Sequence, residues 1–179
     1  SDLLKRMLFG LLGALLAALA MYVWVRATAP GRALVVETLA PRPPPERTSI
    51  RVLSYNIAHG RGPGDDNFEG GDRNERALRL RELGEMIARL DPDVVVLNEV
   101  DFNSIWSYRV DHARELGATA EFPFIAKQSN FDTGLPLLRL HFGNAILSRH
   151  PIEECKPIRY PSFLRREEIF AGSQQGGVC

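Results

Sequence analysis

The sequence predicts an α/β domain, because two short apolar runs rich in β-branched residues flank a segment with helical periodicity. Residues 49–56 and 93–99 each carry four apolar or aromatic side chains before a polar last residue, which is typical of strands buried in a sheet. Residues 72–90 carry leucine or isoleucine along one helical face, which is typical of a helix packed on that sheet. The predicted order is therefore strand, helix, strand.

Both predicted strands end in a side chain that can bind a metal. Asn56 ends the first and Glu99 ends the second, so we expect both at one edge of the sheet. A hard cation such as Mg²⁺ takes oxygen ligands, and a site that also holds phosphate needs only one or two carboxylates. The alternatives are that Glu99 meets solvent or an arginine, and that Asn56 caps its own turn.

The predicted helix has clear start and stop signals. Asp72 followed by Glu75 forms a capping-box pattern, and Asp91-Pro92 ends the segment. Its apolar face consists of Leu80, Leu83, Ile87 and Leu90.

The remaining sequence predicts a long loop and several shorter elements. Residues 59–71 contain five glycines and a proline, so we expect a loop beside the strand tips. A second helix is expected over residues 107–116, and the last nine residues carry no element signal. Further strands are predicted at 122–127, 144–147 and 152–160.

The N-terminal region predicts a membrane anchor. Met7 to Val25 carries no charge, and a helix of that length spans roughly 28 Å, close to the hydrocarbon thickness of a bilayer. A cleaved signal peptide is the alternative, because Ala27-Thr-Ala29 has the small-x-small form of a cleavage site. The length of the apolar run and Pro30 after that site favour an uncleaved, single-pass anchor. We expect the domain that follows to be extracytoplasmic.

Segment composition predicts the domain boundaries, but neither the charge balance nor the cysteines indicate a binding partner. The 22 basic and 22 acidic residues balance, so no overall charge marks a nucleic-acid binder. Cys155 and Cys179 have no histidine at ligand spacing and indicate neither a zinc site nor a disulfide framework. We expect an anchor at 1–29, a proline-rich linker at 30–48 and a single domain at 49–179. No protein partner can be inferred.

Three separated motifs together resemble the endonuclease/exonuclease/phosphatase superfamily. They are Leu53-Ser-Tyr-Asn-Ile57, Pro92-Asp-Val-Val-Val-Leu-Asn-Glu-Val100 and Gly143-Asn-Ala-Ile-Leu-Ser-Arg-His-Pro-Ile152. Their order and spacing match the N-terminal half of that superfamily. The resemblance implies a four-layer α/β sandwich, with two mainly antiparallel sheets and outer helices, of which this chain holds roughly the first half.

The resemblance also implies a chemistry. Glu99 would be the metal-binding glutamate and Asn56 its companion, with Mg²⁺ or Mn²⁺ as cofactor. His59 resembles histidines that follow the first strand in bacterial members, where it would contact phosphate or metal. The substrate would be a phosphoester, either nucleic acid or a phospholipid head group. One departure is Asn98, which stands where the family commonly has glutamine.

Phosphate contacts from arginine are a weaker expectation. Arg61, Arg73 and Arg109 have the chemistry to pair with phosphate oxygens, but loop arginines are usually surface charge. In the third motif, Asn144 and Arg149 are expected to shape a strand and its exit.

Two motifs of the superfamily's second half have no counterpart here. No aspartate follows Asp132 and no histidine follows His150, so the Gly-Asp-x-Asn-like and Ser-Asp-His-like segments are missing. We therefore expect a truncated domain that is inactive alone and exposes an uncovered sheet face. The whole protein would be a membrane-tethered Mg²⁺-dependent phosphodiesterase or nuclease-like hydrolase. The alternative is a non-catalytic membrane-anchored binding module or a decayed gene product.

Overall fold

The structure is a computed structural model that describes residues 2–28, 34–133, 138–159 and 175–178. The three helices are α1 (Asp2–Thr28), α2 (Arg73–Leu90) and α3 (His112–Thr119). The strands are β1 (Leu34–Thr38), β2 (Val52–Asn56), β3 (Val94–Asp101), β4 (Phe124–Thr133), β5 (Leu140–Ser148), β6 (Lys156–Arg159) and β7 (Gln175–Val178).

A mixed five-stranded sheet organises the domain, in the order β1-β4-β5-β3-β2. Strands β2 and β3 are parallel, and the other neighbours in this sheet are antiparallel. Strands β6 and β7 form a separate antiparallel pair. The predicted α/β class is confirmed, and a partial sandwich is consistent with this arrangement.

The core lies between one face of the sheet and the helices α2 and α3. Strand register aligns Val95, Leu147 and Ile125 across three neighbouring strands on that face. Ile87 of α2 and Leu116 of α3 belong to the same cluster, and all five side chains are fully buried. Each such burial stabilises the fold by about 1.5–3 kcal/mol.

Helix α2 begins and ends at the predicted signals. The Asp72 side chain accepts hydrogen bonds from the backbone N–H groups of Asn74 and Glu75, and Glu75 accepts one from the Asp72 N–H. At the other end Asp91 adopts a left-handed conformation with φ 49°, next to Pro92. The capping box therefore sets where the helix starts, at the rim of the glycine-rich loop.

Strand β2 differs from the prediction, which made it a buried strand. Val52 is 65% exposed and Tyr55 is 43% exposed, whereas Leu53 packs against the core. The reason is its place at the edge of the sheet, where it pairs with β3 on one side. An apolar run alone does not distinguish an edge strand from a central one.

Several boundaries also differ from the prediction. Strand β1 lies within the residues assigned to the linker and pairs with β4. Helix α3 starts later than predicted, because Asp111 caps it through the Arg114 N–H. Strand β7 lies in a segment for which no element was expected. Cys155 is disulfide-bonded, although no disulfide was predicted, and Cys179 lies outside the described residues.

The N-terminal helix α1 stands apart from the core. Its stretch Asp2–Val23 is long and apolar enough to cross a membrane, and none of it is buried against the rest of the chain. Length and composition fit both a membrane span and a signal sequence.

Gly143 lies where three strands approach closely at two irregularities of the sheet. It pairs with Val100 of β3 and Ser129 of β4, and the register shifts next to both pairs. A Cβ atom at this position would lie 1.9 Å from the carbonyl oxygen of Gln128. Because that oxygen belongs to the backbone, only glycine allows this approach.

We predict that Gly143→Ala lowers the free energy of unfolding by about 1–3 kcal/mol, because β4 must move away from β5. Urea unfolding of the full chain in detergent measures this loss. Gly64→Ala is the matched control, since the nearest atom to its added Cβ is 3.7 Å away. Equal stability of the two variants would contradict the close approach.

Candidate metal centre

Asn56 and Glu99 lie at the same end of neighbouring parallel strands. The register pairs Asn56 with Asn98, so Glu99 follows one residue later on the adjacent strand. The structure thus brings the two predicted metal-binding residues to one edge of the sheet. Their roles as ligands remain predictions.

A β-bulge in β3 sets the position of Glu99. Leu97 pairs with Ala145 and Val100 with Gly143, so Asn98 and Glu99 together oppose a single residue of β5. Leu97 and Val100 are both fully buried and belong to the same core cluster, whereas a regular strand would place residues three apart on opposite faces. Glu99 has φ 54° and a side chain that is 43% exposed. The bulge therefore releases the carboxylate from the sheet at a backbone cost of about 1–3 kcal/mol.

The amide of Asn56 has a local role. Its Oδ1 accepts a hydrogen bond of 2.8 Å from the N–H of Ala58. This is the turn-capping alternative considered for Asn56. A carbonyl oxygen has a second lone pair, so this bond leaves Oδ1 able to bind a cation.

The turn after β2 carries His59 into the protein. Ala58, His59 and Gly60 have φ values of 47°, 53° and 66°, the left-handed region. The backbone N–H of Ile57 donates to the Asn98 carbonyl, which ties the turn to the bulge. His59 is only 7% exposed, so the turn buries this candidate site residue.

The His59 ring lies between Glu99 and the buried carboxylate of Asp101, a residue that sequence analysis did not identify. Its Nδ1 lies 3.0 Å from Asp101 Oδ1, and its Nε2 lies 4.0 Å from Glu99 Oε2. Trp106 Nε1 donates to the other oxygen of Asp101 at 2.9 Å. Asp101 is fully buried, which is tolerable because both oxygens are hydrogen-bonded. The available sequence signal was a carboxylate two residues beyond Glu99, which by itself reads as a solvated strand end.

Arginines fix the glycine-rich loop against α2. Arg61 donates to the Gly64 carbonyl at 2.7 Å and to Asn67 Oδ1 at 2.8 Å. Arg76 donates to the Asn67 carbonyl and Arg79 to the Gly70 carbonyl. Burial lowers the pKa of Arg76, and the neighbouring charge of Arg79 lowers it further. Arg61, one of the three candidate phosphate contacts, is therefore engaged in holding the loop.

Asn144 and Arg149 of the third motif lie within β5 and directly after it, where a strand and its exit were predicted. Arg149 donates to the Pro92 carbonyl at 3.0 Å and stacks over the Phe122 ring, with 5.0 Å from Cζ to the centroid. Asn144 pairs with Gln128 in β4. Arg73 and Arg109 are exposed, at the start of α2 and after the turn that holds Trp106.

His112 packs behind the turn that carries His59. It is 3% exposed, and a Cβ on Gly60 would lie 3.1 Å from its Cε1. Burial lowers the pKa of His112 to about 4, and the charges of His59 and Arg76 also lower it. Asp101 and Asp111 act in the opposite direction. His112 is therefore uncharged at neutral pH.

The donor set fits a cation that shares its coordination shell with substrate and water. Glu99 offers an exposed carboxylate, Asn56 an amide oxygen, and His59 an imidazole nitrogen facing Glu99. Within the described ranges, no three or more His, Cys, Asp or Glu side chains are grouped so as to hold a metal ion by themselves. A cation held by Glu99 and Asn56 would therefore take its remaining ligands from water and substrate.

Comparison with protein-family models shows which family the chain belongs to. The sequence model of the Endonuclease/Exonuclease/phosphatase family matches residues 53–178, which is more than two thirds of the chain. The chain belongs to this family. The match covers β2, the bulge and the turn with His59, so these features lie inside the family domain.

The comparisons with solved structures and with curated proteins show weaker similarity or none. The chain is similar to the crystal structure of an endonuclease/exonuclease/phosphatase from Beutenbergia cavernae DSM 12333, with 21% identity and a TM-score of 0.44. That similarity covers 70% of this chain and 31% of the other. The chain thus spans about a third of that relative's length. No curated protein matches.

We predict that the free energy of unfolding falls by about 3 kcal/mol as the pH drops from 6.5 to 4, because the unfolded state binds a proton at His112 that the folded state excludes. This contribution is fully present above pH 6.5 and is lost on acidification. Urea unfolding across that pH range measures it.

His112→Gln removes this titration and should flatten the pH dependence by the same amount. His150→Gln, a histidine outside the buried cluster, is the control and should follow the wild type. Parallel pH profiles for His112→Gln and the wild type would contradict the assignment.

Proposed function

We propose that this protein is a divalent-cation-dependent phosphoester hydrolase of the phosphodiesterase or nuclease type. The observation that carries the proposal is the β-bulge that releases the Glu99 carboxylate beside the end of β2, facing His59. Family membership supports the reaction class, because the family comprises endonucleases, exonucleases and phosphatases.

Glu99 and Asn56 would hold the cation, Mg²⁺ or Mn²⁺. When bound, the cation would polarise a phosphoryl oxygen and offset the charge that develops on the phosphate. Glu99 supplies the anionic ligand, and its exposed position leaves room for substrate beside it. Asn56 supplies a neutral oxygen whose direction is set by the bond from Ala58. His59 Nε2 faces Glu99 and is placed to contact substrate phosphate or the cation.

The substrate class follows from chemistry only in part. We propose a phosphodiester, in nucleic acid or in a phospholipid head group.

We also propose that α1 tethers the domain to a membrane through Met7 to Val25, with the domain outside the cytoplasm. Support comes from the fully exposed apolar surface of α1. The disulfide at Cys155 adds support, because disulfides persist in oxidising compartments.

We predict that Glu99→Gln weakens Mn²⁺ binding by at least ~10-fold and lowers any cation-dependent hydrolysis of a chromogenic phosphodiester, because the neutral amide removes the anionic ligand. Calorimetric titration of Mn²⁺ should show the same loss of binding. Glu115→Gln, an exposed glutamate of α3, is the matched control and should leave both unchanged.

Unchanged Mn²⁺ binding in Glu99→Gln would remove this residue from the site. Glu99-dependent Mn²⁺ binding without hydrolysis would agree with a truncated domain that is inactive alone, and equally with the non-catalytic binding module.

We predict that replacing Leu12 and Leu16 together with arginine releases the chain from vesicles, because each arginine at the centre of a span costs about 2.5–3.5 kcal/mol. Alkaline-carbonate extraction measures retention in the membrane. Leu12→Ile with Leu16→Ile is the control and should stay in the pellet. Retention of the arginine variant would contradict the tether.

A further inference from the structure

We propose that His59 supplies a nitrogen donor to the cation site, and that Asp101 and Trp106 are positioning residues that hold it there. The inference rests on the proposed function and deepens it, because it changes the donor set and the preferred cation.

The buried carboxylate of Asp101 determines which nitrogen of His59 faces the site. Oδ1 of Asp101 lies 3.0 Å from Nδ1, and Oδ2 accepts the indole N–H of Trp106 at 2.9 Å. A carboxylate accepts hydrogen bonds, so in the neutral imidazole the hydrogen lies on Nδ1 and Nε2 has the free lone pair. That lone pair is the group a cation can use.

The distance between His59 and Glu99 fits two donors to one ion. Nε2 lies 4.0 Å from Glu99 Oε2, which is too long for a hydrogen bond. Donor–metal distances of about 2.0–2.2 Å allow two donors of one ion to be separated by up to roughly 4 Å. The two atoms thus lie within the span of a single coordination shell.

Packing removes the rotational freedom of the imidazole. Trp106 lies edge-on to the His59 ring at 5.4 Å between centroids, and Phe142 does so at 4.9 Å. The backbone of His59 is also in the left-handed region. A histidine that only filled space would need neither the buried carboxylate nor the strained turn, whereas a donor must be held in one orientation.

A carboxylate, a histidine and a cation in line form an arrangement in which the carboxylate sets the tautomer and raises the basicity of the ligand. Imidazole favours transition metals over Mg²⁺, which prefers oxygen. We therefore expect a site with one nitrogen donor to bind Mn²⁺ in preference to Mg²⁺.

Pulsed electron paramagnetic resonance tests the nitrogen donor directly. The full chain in detergent is loaded with Mn²⁺, and electron spin echo modulation from ¹⁴N is recorded. Growth with ¹⁵N-histidine should convert that modulation to the ¹⁵N pattern. This comparison uses the wild-type sequence, so it does not depend on the folding of any variant.

Substitutions test whether the nitrogen donor is His59 and whether Asp101 positions it. His59→Gln should abolish the histidine modulation, and His150→Gln should retain it. Asp101→Asn should reduce the modulation and weaken Mn²⁺ binding about 10-fold or more, because an amide NH₂ must then face His59 or Trp106. Its effect on Mg²⁺ binding should be less than about 3-fold, since oxygen ligands dominate there.

Trp106→Phe separates the hydrogen bond from the packing. It keeps an aromatic ring but removes the N–H that holds Asp101, so an intermediate loss of Mn²⁺ affinity and modulation is expected. Near-ultraviolet circular dichroism checks that each variant is folded.

The outcomes distinguish this inference from the proposed function. Mn²⁺ binding that requires Glu99 but shows no histidine modulation would overturn the nitrogen donor and leave the cation site intact. Modulation lost in His59→Gln but unchanged in folded Asp101→Asn would overturn the positioning role. Mn²⁺ binding that is absent, or indifferent to Glu99→Gln, would overturn the proposed site as well.

Discussion

The bulge at Asn98 and Glu99 is the constraint on which the rest of the site depends. It lets Leu97 and Val100 both enter the core, and it places Glu99 outside the hydrogen-bond ladder in a left-handed conformation. On the neighbouring strand, Gly143 provides the space that the irregular pairing needs. The burial of the flanking residues stabilises a backbone conformation that Glu99 would not adopt alone. The Glu99 carboxylate is in this way positioned by apolar packing on either side of it.

Around this bulge, polar side chains form hydrogen bonds with other groups of the same chain. Asp101 is shared between His59 and Trp106, and three arginines bind carbonyl or amide oxygens of the glycine-rich loop. A loop with five glycines would otherwise be too mobile to border a site, because glycine has the greatest backbone freedom. The arginine contacts reduce that freedom and hold the glycine-rich loop in one conformation beside the site. These three arginines therefore have a structural role in the loop.

The comparison of expectation and structure separates local signals from non-local ones. At α2 the local signals were reliable: the Asp72–Glu75 capping box starts the helix, and Asp91 with Pro92 ends it. At α3 the cap at Asp111 was missed, so the predicted start was wrong. The order of strand and helix, and the meeting of Asn56 with Glu99 at one edge, followed from the apolar runs and their polar ends. Which strands lie at the edges of the sheet could not be predicted from the same signals. Strand β2 was expected to be buried, and β1 was not expected at all, because a strand's neighbours are chosen by distant segments.

By itself, the sequence determined the α/β class, the long apolar N-terminal helix, the family motifs and the two residues at the strand tips. Only the tertiary structure decided the burial and orientation of His59, because its environment comes from Asp101, Trp106 and Phe142, which are more than forty residues away along the chain. The same holds for Asp101, whose burial requires two hydrogen-bond donors from separate turns. Periodicity and capping act over a few residues and can be read from the chain. The orientation of a buried imidazole is set by contacts that exist only after the strands have paired.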